Sequence, residues 1–259
     1  MGKHFTVEVK PTIAASAQAA GSAAYADNDV LFDWTSFQVP KGAASLVGLT
    51  IVMRGTDAGA QSKKDIDFLF AKTVDNSRPE TLGTSNATAS AVPVVSNHII
   101  GFTHIDSATD YGGHTLDHFA VAATGSGAAG SHIPTLVLEG EPNSGDNVGF
   151  DTLYIAAICA ESGISFGTTV LSRGATAAGE TVVPTDKGSD DDPDAELIFA
   201  PGDVLHSATD DVLGTVSSIG TFGSSKQDIT FTAATTDAIA DNEEIFNINP
   251  IRIILSFER

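Results

Sequence analysis

Asp65-Ile66-Asp67-Phe68-Leu69-Phe70 sets the fold class: Ile66, Phe68 and Phe70 recur at every second position and share one face. That is the period of a strand with one buried side. Phe5-Thr6-Val7-Glu8-Val9-Lys10 repeats it, apolar at 5, 7 and 9. Val30 to Val39 reads as another strand, ended by Pro40, and Ser45 to Arg54 as the next. Asp65 to Val74 continues the series, and further strands are expected near 94–105, 117–123, 133–140, 150–160 and 166–172. Between them lie polar turn segments: 75–92, Gly125 to Gly130, and Pro142 to Asn147. Ala14 to Ala24 has small residues but no large apolar anchors, which favours a loop over a helix. No convincing 3.6-residue period and no βαβ alternation appear. The fold expected is all-β, a jelly-roll-like β-sandwich.

The composition shifts over residues 174–195. Gly174 to Glu180 is linker-like, and Lys187 to Asp194 is an acidic loop. The segments that follow are Ala195–Phe199, Asp203–Leu205, Val212–Ile219 and Asp228–Thr232, then a helical turn at Thr236–Ala240. They have the pattern of a small barrel-like module. The last segment, Pro250 to Glu258, has the character of Phe5–Lys10, and the two are expected to pair. Residues 1–180 plus 249–259 would then form the sandwich domain, with 181–248 inserted as a small β module.

The 259 residues carry 13 Lys and Arg against 33 Asp and Glu, a formal charge of −20. A phosphate backbone would be repelled, so direct nucleic-acid binding is not expected. Hydrophobic residues make up 42%, enough to build a core and too many for a disordered chain. No apolar run reaches the ~20 residues of a membrane helix. Met1-Gly2-Lys3-His4-Phe5 passes straight into strand alternation without the apolar core of a secretion signal. The single cysteine, Cys159, follows Tyr154-Ile155-Ala156-Ala157-Ile158 and reads as a small buried hydrophobe.

Three patterns could carry chemistry. Gly163-Ile164-Ser165-Phe166-Gly167 has the spacing of a nucleophile elbow, with Asp190 and His206 following in triad order. An elbow needs a helix after the serine, whereas Thr168-Thr169-Val170-Leu171 is β-branched, so a plain turn and no catalytic residue are expected. His104, Asp106, Asp110, His114, Asp117 and His118 are types that bind divalent metals. Their spacing fits no zinc signature, and a polar loop or a protonation-sensitive contact surface is the alternative. Asp190, Asp191, Asp192 and Asp194 could offer oxygens to Ca²⁺, but they lack an EF-hand's glycine and distal glutamate, and a solvated loop is the plainer reading. Asn86-Ala87-Thr88 fits a glycosylation sequon, expected to be idle. No cofactor is expected.

Gly202-Asp203-Val204-Leu205, Asp211 to Ile219, Ile229 to Ala234 and Ala238 to Ile245 resemble a small β module found in virion structural proteins of tailed bacteriophages, marine cyanophages in particular. The similarity covers a stretch within 202–245 and transfers no functional residue. It implies a virion protein, of the capsid decoration (cement) type, assembled in the host cytoplasm. The partners implied are the major capsid protein, other virion proteins and further copies of the chain, with a trimer as first guess. Tail or baseplate location, and a carbohydrate- or receptor-binding sandwich, are the alternatives. The lone Trp34, in a strand expected to be core, disfavours the carbohydrate alternative. The apolar pairs Val94-Val95 and Ile99-Ile100 fall on expected edge strands, which usually need a partner. Salt should strengthen association between copies by screening their repulsion.

Overall fold

The structure, a computed structural model, describes residues 3–19, 23–54, 63–90, 97–112, 119–125, 134–141, 149–166, 170–186, 195–209, 211–221 and 226–259. It is all-β, with antiparallel pairing between the strands of each sheet. The strands are β1 (His4–Val9), β2 (Val30–Pro40), β3 (Ala44–Arg54), β4 (Ile66–Lys72), β5 (Ile99–Ile105), β6 (Phe119–Ala123), β7 (Leu136–Leu138), β8 (Phe150–Cys159), β9 (Val170–Leu171) and β10 (Val182–Asp186). The short helix α1 (Ala195–Ile198) follows, then β11 (Val204–Ser207), β12 (Val212–Ile219), β13 (Lys226–Phe231), β14 (Glu244–Asn247) and β15 (Ile251–Glu258).

Two sheets make a β-sandwich. The first runs β1-β15-β3-β6, with β7 also on β3, and the second runs β2-β8-β4-β5. The alternation in 66–70 has the consequence expected of it. Ile66, Phe68 and Phe70 are completely buried and meet Leu153, Ile155, Ala157, Leu255 and Phe257 in one core. Burying a side chain of that size is worth about 2–3 kcal/mol. Phe257 stacks on Phe5 at 5.2 Å and lies 6.4 Å from Phe37 of the opposite sheet. β1 pairs along its whole length with β15, from His4 opposite Glu258 to Val9 opposite Ile253.

The third sheet, β10-β13-β12-β11-β14-β9, curls back on itself. Ser172, just past β9, bridges to Thr185 of β10, and the Arg173 N–H donates to the Pro184 carbonyl at 2.8 Å. The sheet is thus a nearly closed barrel with its own core, which includes Val170, Leu205, Val216, Ile229 and Ile245. Bulges at Leu205/His206 and Val216/Ser218 supply the extra twist so small a barrel needs. Gly214 sits between them at φ +142°, and a Cβ there would lie 3.3 Å from the Phe231 ring.

Two local expectations change. Residues 236–240 form no helical turn: Ile239 pairs with Thr176 and enters the barrel core, a better outcome for its side chain than an exposed turn. The helix lies instead at 195–198. Trp34 is not a core residue. It is half-buried on the outer face of β2, packs on a small cluster with Leu82, and donates its Nε1–H to the Glu80 carbonyl at 2.8 Å. Val94 and Val95 lie outside the described residues.

Candidate functional site

Sandwich and barrel meet along a polar seam. The segment joining β14 to β15 is stitched to the chain between β1 and β2. The Ile13 N–H donates to the Ile248 carbonyl, Gln18 Nε2 to the carbonyls of Ile13 and Asn247, and Asn249 Nδ2 to those of Lys10 and Pro11. A cleft of about 420 Å³ opens beside this seam. Its sandwich wall carries Glu8, Lys10, Arg54 and Arg252, and its barrel wall is the Ala200–Val204 turn. Arg54 reaches across to Asp203, whose carboxylate also accepts the Ala200 N–H at 2.8 Å. Arg252 and Lys10 share Glu8 at the mouth. The charges are thus paired with one another, and what the arrangement does chemically is hold two units together.

The histidine–carboxylate cluster is only partly assembled by the described residues. His104 on β5 places Nδ1 2.7 Å from Asp67 Oδ1 of β4, with Nε2 3.9 Å from Asp65. Asp65 accepts the Ser107 N–H at 2.6 Å. Burial pushes the Asp65 carboxyl up, but the Ser107 hydroxyl and N–H, with His104 and Lys64 nearby, outweigh it and hold it below the ordinary carboxylate range. Asp106 and Asp110 work locally. Asp106 accepts the N–H groups of Ala108 and Thr109, and buried Asp110 accepts that of Asp106, folding a turn. His114, Asp117 and His118 lie outside the described residues, as do Asp190, Asp191, Asp192 and Asp194. Among the described residues no group of three or more His, Cys, Asp or Glu is placed to hold a metal ion.

Ser165 sits between buried Ile164 and Phe166, where Gly163 at φ +108° turns the chain alongside Tyr25. Ile164 bridges to Tyr25, and Phe166 meets the Tyr25 ring edge-on at 5.9 Å. The next described element is the strand β9. His206 is buried in the barrel unit, 5.8 Å from the Phe246 ring, and Asp190 lies outside the described residues.

Among the described residues, large exposed apolar side chains of the sandwich lie on β5, β7 and at the start of β8: Ile99 is 38% exposed, Phe102 49%, Val137 62% and Phe150 49%. β5 ends its sheet and packs on β7, where Gly101 faces Leu136 and Leu138. Sequence reading found Ile99-Ile100 as an edge feature but passed over Phe102, whose outward direction depends on which β5 alternates face β7. It also passed over Arg54 and Asp203, which lie 149 positions apart. No known protein family matches the chain, and no curated protein matches its sequence. Among the described residues, no helix is long and apolar enough to cross a membrane.

Proposed function

We propose that this chain is a virion structural protein of a tailed bacteriophage, of the capsid decoration type, which ties neighbouring capsid subunits together. The observation that carries the reading is the lateral edge of the sandwich, where Ile99 and Phe102 of β5 and Val137 of the adjoining β7 remain exposed. Large apolar side chains on an edge strand mark a surface that another chain covers. The similarity of segments within 202–245 to a virion β module supports the same reading. The charge of −20 supports it too, because it keeps many closely packed copies soluble. The mechanism is mechanical: each copy spreads the load of the shell over many modest contacts. Gold-labelled antibody on intact particles should decorate heads at regular spacing. Label confined to tails would move the protein to the tail, and particles without label would overturn the reading.

A further inference from the structure

The outer face of the second sheet is divided in two. Over β2 and β8 it is covered by the chain's own 77–90 segment: Leu82 packs on Val30 and Ala156, and the Leu82 N–H donates to Asp33. The cover reaches Leu69 of β4, which packs against its margin half-buried. Beyond that margin, Phe102 stands directly opposite Leu69 and is 49% exposed. The other side of β5 is committed inward, with Gly101 against β7 and Thr103 and Ile105 buried. Single exposed apolar residues are common on soluble proteins. Here Leu69, Phe102 and Ile99 adjoin one another on two paired strands, where an apolar layer begun by the protein's own chain stops.

The charge at one end of this patch is mainly acidic. Two positions along β5 from Phe102 comes His104 with Asp67, then Asp65 and Asp106. Of the cations near that end, Lys64 is held 2.7 Å from Glu161. Among the described residues near that end, carboxylates outnumber lysines, with Asp65, Asp67, Asp106 and Glu161 against Lys63 and Lys64, while Lys72 of β4 lies at the opposite end, next to Ala71, which pairs with Ile99. A second copy of the chain would bring 33 more acidic residues against 13 basic ones. We propose that the outer β4–β5 face centred on Phe102 docks a partner protein whose contacting surface carries an apolar side chain flanked by lysines or arginines. This rests on the virion reading and specifies the partner's chemistry within it: a basic shell surface rather than a second copy. Apolar contact at Phe102 supplies the anchor, and the acidic rim supplies orientation and on-rate.

The test uses the full chain and phage particles stripped of it, with rebinding followed by sedimentation. Phe102→Asp should weaken rebinding about tenfold or more, whereas Val212→Asp, the same change at an exposed barrel position, should stay within about twofold. Phe102→Thr, which suits a strand, should show the same loss if the aspartate variant fails to fold. Raising NaCl from about 50 to about 500 mM should weaken wild-type rebinding. Rebinding of Phe102→Asp at wild-type strength would overturn the inference and leave the virion reading standing. Failure of the wild type to rebind at every salt concentration would overturn the reading, and this inference with it. A wild-type oligomer that Phe102→Asp abolishes would assign the face to a second copy, overturning the basic partner.

Discussion

Arg54 and Asp203, 149 positions apart, meet across the seam between sandwich and barrel, with Nη2 3.0 Å from Oδ2 and 3.2 Å from Oδ1. Both side chains are under one-fifth exposed, so the pair is screened less than a surface ion pair. Asp203 holds the 200–203 turn as well, through the Ala200 N–H. Asp203→Ala should therefore cost about 2–3 kcal/mol, and Arg54→Ala about 1–2. A double-mutant cycle followed by urea unfolding checks this, and a coupling energy near zero would mean the seam holds without the pair.

Ser165 is expected to be chemically inert. Its turn leads on to the strand β9 among the described residues, not to the helix that lifts an elbow serine out of a sheet. A fluorophosphonate probe should leave the chain unlabelled. Stoichiometric labelling that Ser165→Ala removes would establish a nucleophile.

Cys159 closes β8 deep in the sandwich core, and burial, with Asp29 and Asp27 nearby, pushes its thiol up to about 12. The thiolate is the reactive form, so the native protein should ignore a disulfide exchange reagent near neutral pH. One thiol should titrate in denaturant. Rapid reaction under native conditions would mean that β8 opens far more readily than its packing implies.

Asp65 links acidity to stability. Its carboxyl is held below the unfolded value of 3.8. Its contribution is therefore complete above 3.8 and is lost as pH falls through the lower folded value. Asp65→Asn should be less stable than the wild type at about pH 6, and the gap should narrow on acidification to about pH 3. Urea midpoints across that range measure it; a constant gap would show that the loss is steric.

The fold class was open to reading because period-two alternation records burial directly: Ile66, Phe68 and Phe70 all turn inward, and Phe5–Lys10 pairs with the final strand as its matching character implied. Ile239 was misplaced because a short Thr/Ala/Asp run carries no local preference strong enough to outweigh a bridge to Thr176. Trp34 was misplaced because alternation names two faces without saying which is inner, and a bulge between Phe32 and Thr35 resets it. The seam was not legible at all. Arg54 and Asp203 become neighbours only after both units have formed, and nothing local in either segment records it.

β15 is not an edge: it lies between β1 and β3 in the middle of the first sheet, and it follows the barrel strands in the chain. A ribosome therefore delivers every strand of the barrel before it delivers the one that joins β1 to β3. Until then the edges of β1 and β3 that β15 fills stand open. A nonsense codon or nick just before Pro250 would thus leave an intact barrel attached to a split sheet, a product suited to capture by chaperones and proteases rather than to assembly. Only a molecule translated through β15 can finish its first sheet.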